Sequence, residues 1–558
     1  MKTSAASPLV LIALCVALLV GMPVASVIAH VFDGGTSAVW AHLAATVLPE
    51  YLASTLWLCL GVAAGTLTIG VTTAWLVVMH EFPGRRFFEW ALLLPLAAPA
   101  YVLAYVYTDF LQFAGPLQSA LRESFGWSRA DYWFPDVRSL GGAVAMFVFV
   151  LYPYVYLLSR TAFLEAASGM HEAARTLGCG PWRSFFRVAL PLARPGVVAG
   201  VTLALMETLA DYGTVSYFGV STFTTGIYRA WFSLGDRVAA AQLAAALLGC
   251  VTLFLLAEQA ARRRARFHNT TGRNRPALGR RLQGLRAIGA TLACILPLLA
   301  GFVLPAGLLL RLTLDEGDAW LGGSFLPLAR NSFILAGSTA LLAVALALAL
   351  AYGARLTRRE RRGRWMAALN RLVSLGYAVP GSVVAVGILI PVTQLDHRLA
   401  VLWQVLTGHN PGLVLTGGIA ALIYAYLVRF LAVALQSVGS GLARVTPGMD
   451  EAAQSLGAGQ GASLRRVHLP ILRGSLFSAA LLVFVDVMKE LPATLVMRPF
   501  DFDTLATCVH TLASDERLTE AAAPSLAIVL VGLLPIIVLS RQIAGRSTHA
   551  THVKKPPV

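Results

Sequence analysis

Two pairs of acidic side chains stand in strongly apolar stretches of the sequence. Glu207 and Asp211 are four residues apart, and the same spacing returns in the second half of the chain with Asp486 and Glu490. Residues four apart share one face of a helix. A carboxylate at mid-depth in a bilayer costs about 2.5–3.5 kcal/mol on insertion scales, so such residues are usually functional. The two pairs are therefore candidates for a translocation pathway that attracts a cation.

Two interpretations of these four side chains stay open at this stage. In the first, the pairs line a central pathway near a pseudo-twofold axis, where their oxygens suit a hard cation such as Fe(III) and Tyr212 and Tyr217 assist. In the second, they lie near an interface, brace the two halves, or pair locally, since Lys489 adjoins Glu490. Another six tyrosines are expected to pack or to anchor at the membrane interface rather than to bind a ligand. These are Tyr101, Tyr105, Tyr107, Tyr152, Tyr154 and Tyr156.

The composition requires a membrane. Of 558 residues, 57% are hydrophobic and 13% are charged, with a mean hydropathy of +0.70, whereas soluble proteins carry about 25% charged residues. About 20 apolar residues cross a bilayer as a helix. The sequence predicts twelve spans, at 8–30, 52–79, 88–113, 140–163, 188–212, 238–258, 287–312, 332–354, 371–393, 413–436, 471–494 and 521–541. A cleaved signal peptide is an alternative for the first span, given Lys2 and the small residues Ala25 and Ser26.

The net charge of +16 reflects topology rather than a nucleic-acid partner. Nine arginines lie in 261–286, seven lie in 355–371 and two lie in 80–87, whereas 30–51 has no lysine or arginine and 313–329 is acidic. Lysine and arginine mark the cytoplasmic side. The alternation predicts a multi-pass protein of the bacterial inner (plasma) membrane with both termini in the cytoplasm.

The sequence offers no catalytic site. A phosphate-binding P-loop needs Gly-Lys-Ser/Thr, and none of the four lysines follows a glycine. Six cysteines and eleven histidines form neither a CxxC nor an HExxH pattern, so no metal site is assigned. We expect a transport subunit that is not an enzyme and binds no cofactor, with any ATP hydrolysis supplied by another polypeptide.

The two halves of the chain repeat at an offset of 279 residues. The register holds without gaps over about 50 residues. An even number of spans per repeat gives both copies the same orientation, unlike the inverted repeats of many secondary transporters. The predicted organisation is a first transmembrane half (1–260), an arginine-rich cytoplasmic linker (261–286) and a second transmembrane half (287–558).

A motif recurs between the fourth and fifth spans of each half. Its copies are EAARTLGCGPWRSFFRVALP at 172–191 and EAAQSLGAGQGASLRRVHLP at 451–470. Glutamate suits a helix start, glycine permits the left-handed turn that ends a short helix, and Leu-Pro suits the start of the next membrane helix. The pattern predicts a short helix, a bend and a second helix at the membrane face. Its candidate residues are Glu172, Ala173, Ala174 and Gly178 in the first copy, and Glu451, Ala452, Ala453 and Gly457 in the second.

This motif resembles the EAA signature of permease subunits of ATP-binding-cassette importers. The resemblance implies an all-α integral membrane protein of two parallel six-helix repeats, the type I importer permease fold. It also implies that the EAA loops form coupling helices on which two copies of a separate ABC ATPase dock. That ATPase would use ATP and magnesium, and a periplasmic substrate-binding protein would deliver the cargo. Transport would proceed by alternating access.

Within this family the chain is most similar to fused, double-length ferric-iron permeases. The segments closest to them are 207–232 and 489–522. The resemblance implies Fe(III) as cargo. Thiamine, phosphonate and sulfate stay open as other cargos of the same class, and an ion-coupled secondary transporter is a less favoured alternative.

Overall fold

The structure is almost entirely helical. The computed structural model describes residues 6–32, 42, 45–166, 180–263, 280–315, 325–357 and 362–552. Within them, the strands are β1 (His80–Glu81) and β2 (Arg280–Arg281), which pair in parallel. The helices are α1 (Ala6–Ala29), α2 (Leu48–Met79), α3 (Arg85–Ala91), α4 (Ala100–Leu111), α5 (Pro116–Phe125), α6 (Leu140–Ala166), α7 (Leu190–Ala210), α8 (Gly213–Tyr217), α9 (Phe223–Tyr228), α10 (Arg237–Arg263), α11 (Leu285–Leu298), α12 (Leu304–Asp315), α13 (Phe325–Thr357), α14 (Arg362–Leu375), α15 (Gly381–Thr407), α16 (Ala420–Leu442), α17 (Pro447–Ser455), α18 (Leu469–Met488), α19 (Pro492–Met497), α20 (Leu505–Ser514) and α21 (Leu518–His552).

The helices fit a multi-pass membrane protein. Within the described residues, eleven helices are long and apolar enough to cross a membrane, and a twelfth span results if one bent pair is counted as a single crossing. The bent pair replaces the span predicted at 88–113. Its two parts, Arg85–Ala97 and Ala100–Phe125, meet at 89°. Pro99 lies at the break and has an extended conformation with ψ 148°. Proline lacks the N–H group that a continuous helix needs, which explains the bend.

A second proline accounts for the difference between the span predicted at 371–393 and the observed apolar helix. Pro380 is the N-cap of α15, with ψ 145°, so the apolar helix begins at Gly381 and continues to Thr407. The residues before it form α14 and a 3₁₀ turn at Gly376–Ala378. The proline lies at a helix boundary because its ring disfavours a helical conformation in the preceding residue.

The internal repeat is visible in the backbone conformation as well as in the amino-acid sequence. A single turn of π-helix spans Phe185–Ala189 before α7, and another spans Leu464–His468 before α18. The two turns stand at the offset of 279 residues. Single π turns within α-helices often occur at functional sites, and these two lie in the C-terminal parts of the EAA segments.

Contacts divide the chain into two compact units that differ from the two sequence halves. The first, here the α1 unit, comprises Met1–Leu43, Gly226–Leu248 and Leu321–Cys508. The second, here the α2 unit, comprises Ala44–Thr225, Gly249–Trp320 and Val509–Val558. Each unit therefore combines most helices of one sequence half with terminal segments of the other.

The α1 unit is built on α13, α16 and α18, which pack against one another, and α1 packs along α13, α14 and α15. The close approach of α1 to α15 requires a glycine, since a Cβ at Gly387 would lie 2.4 Å from the carbonyl oxygen of Pro23. Tyr424 also donates a hydrogen bond to the carbonyl oxygen of Leu19 (2.6 Å). Small residues at such contacts let membrane helices approach closely.

The α2 unit repeats this arrangement with α2, α6 and α7. A Cβ at Gly70 would lie 2.6 Å from Val155 Cβ, so α2 and α6 are in direct backbone contact there. Helix α12 packs on α21, and α11 packs on α2. Five of the six tyrosines expected to pack or to anchor at the membrane interface are buried; these are Tyr101, Tyr105, Tyr107, Tyr152 and Tyr156.

Contacts also bring together loops that the charge pattern assigns to one side of the membrane. In the α2 unit, the basic segments at 80–87 and 280–286 meet, with Leu282 N–H donating to the carbonyl oxygen of Glu81 (2.9 Å). In the α1 unit, Arg355 contacts Asp450 in α17, the helix in which the second EAA segment begins. Segments predicted to face the cytoplasm thus contact one another within each unit.

Candidate functional site

The first carboxylate pair lies where α7 ends. Asp211 follows α7, and its Oδ1 accepts hydrogen bonds from the N–H groups of Thr214 (2.9 Å) and Val215 (3.3 Å) in α8. Its Oδ2 accepts one from Thr214 Oγ1 (3.1 Å). Asp211 therefore caps α8 at the positive end of the helix. Glu207 lies one turn earlier in α7 and is half-buried.

The second pair forms a matching cap in the α1 unit. Glu490 follows α18, and its Oε1 accepts a hydrogen bond from Ala493 N–H (2.9 Å). Its Oε2 accepts hydrogen bonds from the N–H group (3.0 Å) and the hydroxyl group (2.7 Å) of Thr494. Tyr426 OH lies 2.6 Å from that hydroxyl oxygen. The carboxylate of Glu490 is buried and fully engaged by protein donors.

Basic residues accompany both acids of the second pair. Arg429 Nη1 lies 3.0 Å from Glu490 Oε1, and the side chain of Glu490 is 1% exposed. Lys489 Nζ lies 3.0 Å from Asp486 Oδ1. Sequence analysis anticipated local pairing through Lys489 as an alternative, but it missed Arg429. An arginine inside the apolar helix α16 was the available signal, because a buried charge needs a partner.

The first pair has a different electrostatic environment. Helix α6 occupies the place of α16, and its one basic residue, Arg160, lies 3.9 Å from Glu89. Ala210 stands where the repeat places Lys489. Within the described part of the chain, no ion pair joins Asp211 to a lysine or arginine. The caps at Asp211 and Glu490 thus share their geometry but differ in charge balance.

Aromatic side chains and a histidine form a cluster near Asp211 in the α2 unit. Tyr105 OH lies 2.7 Å from His510 Nδ1. The Tyr212 ring centroid lies 5.7 Å from that of His510, and the Tyr217 ring packs edge-on against Tyr105 at 4.5 Å. Asp211 lies close enough to Tyr105 to interact with it electrostatically. Among the described residues, no three histidine, cysteine, aspartate or glutamate side chains form a metal-binding group.

A cavity of about 630 Å³ lies beside this cluster in the α2 unit. Its lining includes Arg129, Arg138, Trp133 and Glu516. Arg138 Nη2 lies 3.3 Å from Glu516 Oε1 and donates a hydrogen bond to Tyr217 OH (3.2 Å). The cavity is therefore in contact with the aromatic cluster through Tyr217.

The second EAA segment has the shape that its sequence predicts. Glu451, Ala452 and Ala453 lie in α17, and Gly457 follows the helix with φ 81°, a left-handed conformation that glycine adopts without strain. Glu451 and Ala452 are exposed, and Leu456 is 87% exposed. The residues of the first copy, Glu172, Ala173, Ala174 and Gly178, lie outside the described residues.

A polar network holds the second EAA helix against the rest of the α1 unit. Arg355 Nη2 lies 2.7 Å from Asp450 Oδ2, and the same guanidinium donates hydrogen bonds to the carbonyl oxygens of Leu442 (3.0 Å) and Val445 (2.8 Å). His468 Nε2 lies 2.7 Å from Asp450 Oδ1. Sequence analysis missed this network, since only the position of Asp450 beside Glu451 hinted at it.

Comparisons with known proteins agree with the helical membrane fold. The family of binding-protein-dependent transport system inner membrane components matches residues 66–266. The Fe(3+)-transport system permease protein FbpB 2 of Haemophilus influenzae is 26% identical over 504 residues, covering 88% of this chain and 90% of that protein. The Escherichia coli molybdenum transport system permease protein ModB is 33% identical over 153 residues (27% of this chain, 64% of that protein).

A further relative, the sulfate transport system permease protein CysW of Escherichia coli, is 28% identical over 243 residues (42% of this chain, 80% of that protein). These relatives share one class of activity and differ in cargo. By its helical fold, its internal repeat and these matches, the chain is similar to the permease subunits of binding-protein-dependent ABC importers, and its architecture agrees with their type I fold.

Proposed function

We propose that this permease translocates Fe(III) across the bacterial inner membrane, powered by a separate ATPase. The observation that carries the proposal is the match to a double-length Fe(3+)-transport permease over 88% of the chain. The oxygen-rich surroundings of Asp211 agree with it, because carboxylates and phenols suit a hard, highly charged cation. The matches to molybdenum and sulfate permeases cover 27% and 42% of the chain.

Two ATPase copies are proposed to dock at the EAA segments. Glu451, Ala452 and Gly457 are accessible in the second segment, and Glu172 and Gly178 hold the equivalent positions of the first. The partner would use ATP and magnesium, since this chain has no P-loop. A binding protein would deliver the cargo at the opposite face, and both termini would lie in the cytoplasm. Closure of the ATPase would favour one of two global states.

The pathway is proposed to include the candidate carboxylates Glu207 and Asp211. The roles of Asp486 and Glu490 would differ, because their charges are balanced by Lys489 and Arg429. The second pair is better suited to holding helices together than to attracting a cation. This assignment predicts that neutralising Glu207 lowers uptake while the protein stays folded.

A second cargo class has one structural observation in its favour. Arg129 and Arg138 line the cavity of the α2 unit, and arginine binds oxyanions well because its planar guanidinium donates two parallel hydrogen bonds. Molybdate or sulfate would therefore fit this cavity. However, Arg138 already contacts Glu516 and Tyr217, which reduces its capacity to bind an anion.

The test is uptake by vesicles that contain the permease, its ATPase and its binding protein. Radiolabelled Fe(III), molybdate, sulfate and thiamine are offered in parallel, with ATP or with a non-hydrolysable analogue inside. We expect ATP-dependent uptake of Fe(III) alone. Uptake of molybdate or sulfate without Fe(III) would contradict the cargo assignment, and uptake without ATPase would contradict the transport class. Purified permease alone is expected to hydrolyse no ATP.

A further inference from the structure

The surroundings of Asp211 contrast with those of its structural equivalent. Asp211 and Glu490 occupy equivalent caps, and each accepts hydrogen bonds from two N–H groups and a threonine hydroxyl. Arg429 neutralises Glu490. An unbalanced carboxylate in poorly hydrated surroundings is costly, and at Asp211 a bound cation would supply the balancing charge that Arg429 supplies at Glu490.

The side chains around Asp211 are those that bind hard metal ions. Tyr105, Tyr212 and Tyr217 provide phenol oxygens, and His510 provides a ring nitrogen. Tyr105 OH and His510 Nδ1 are 2.7 Å apart and hydrogen-bonded, so one oxygen donor and one nitrogen donor lie side by side. Phenolate is a known ligand of ferric iron, and imidazole also binds iron.

The repeat shows that this donor set is specific to one unit. At the offset of 279 residues, Leu491 stands in place of Tyr212, and Val496 stands in place of Tyr217. A structural cap needs only the carboxylate, which both copies keep. The additional donors in the α2 unit are therefore not required for capping and need another explanation.

The cavity of about 630 Å³ lies next to the cluster. Tyr217 connects the two, since it accepts a hydrogen bond from Arg138 in the cavity wall and packs on Tyr105 in the cluster. Asp211, Tyr212 and His510 are all partly exposed.

We propose that Asp211, Tyr105, Tyr212 and His510 form a transient binding site for a trivalent cation, which in this importer is Fe(III). The proposal rests on the proposed cargo. Each tyrosine that binds as phenolate releases one proton to solvent, and the iron stays ferric, so no reductant is needed. The site would be one-sided, with the ion held in the α2 unit and Glu490 serving only as a helix cap.

Metal binding by the purified permease tests the site directly. Ferric nitrilotriacetate is added to the detergent-solubilised protein, and the visible charge-transfer band of iron–phenolate complexes is recorded. Wild type is expected to show the band, and Tyr105→Phe or Tyr212→Phe to weaken it. Asp211→Asn should lower the apparent affinity at least about tenfold, since even outer-shell changes at metal sites cost 10–100-fold. Tyr156→Phe is the matched control, a buried tyrosine of the same unit that bonds to the carbonyl oxygen of Glu89.

Iron uptake by reconstituted vesicles distinguishes an incorrect binding-site assignment from an incorrect cargo assignment. If wild type imports Fe(III), but gives no band and Asp211→Asn imports at the normal rate, the site is refuted and the cargo stands. If wild type imports molybdate or sulfate and no Fe(III), the cargo is refuted and the site with it. Size-exclusion profiles and unfolding temperatures identify misfolded variants. Because tyrosine-to-phenylalanine changes keep the ring, they test the site even if Asp211→Asn does not fold.

Discussion

Removing Arg429 tests whether the second carboxylate pair is structural. In Arg429→Met the carboxylate of Glu490 keeps its buried position, with 1% exposure, but loses its only ion-pair partner among the described residues. Breaking a buried ion pair costs about 3–5 kcal/mol. Glu490 still accepts hydrogen bonds from Ala493 and Thr494, so we expect about 3 kcal/mol, at the lower end of this range. Methionine keeps most of the packing volume.

The assay is equilibrium unfolding in mixed micelles, followed for wild type, Arg429→Met, Glu490→Gln and the double variant. A neutral glutamine no longer needs the cation, so the double variant should be more stable than Arg429→Met and within about 1 kcal/mol of wild type. The reasoning is refuted if Arg429→Met loses less than about 1 kcal/mol, or if the double variant is no more stable than the single one.

Two other variants test coupling and helix packing. Arg355→Gln removes the contacts that hold Asp450 and α17, the helix of the second EAA segment. ATP-driven uptake should then fall by up to about 30-fold, which corresponds to a coupling loss of about 2 kcal/mol. Arg371→Gln, in the same basic segment, is the control, and equal uptake by both variants would contradict the positioning role of Arg355. Gly387→Val places side-chain atoms against the carbonyl oxygen of Pro23 and should lower the free energy of unfolding by about 1–3 kcal/mol. Gly474→Val, at a helical position with open space around it, should lower the free energy of unfolding by less. Equal losses of stability in the two variants would contradict the close contact between α1 and α15.

The sequence by itself determined the membrane class, the repeat and the shape of the EAA segment. These depend on local patterns. Apolar runs of about 20 residues predict spans, and Gly457 predicts the bend that its φ of 81° displays. Prolines also act locally, yet the predicted spans at 88–113 and 371–393 ran through Pro99 and Pro380, where the structure has helix boundaries. Mean hydropathy is averaged over a window of residues, so it does not detect the helix boundary that one proline causes by lacking an N–H group.

Only the tertiary structure decided which charges are balanced. The four carboxylates look equivalent in the sequence, but Arg429 reaches Glu490 across 61 residues, and Tyr105 reaches His510 across 405. Such contacts depend on which helix faces meet, and the grouping of terminal segments with the opposite sequence half sets those faces. Local periodicity places a residue on a face of its own helix. Local periodicity carries no information about the neighbouring helix. The side chain on that helix determines whether a buried carboxylate is charge-balanced and only caps a helix, or is unbalanced and can attract a cation.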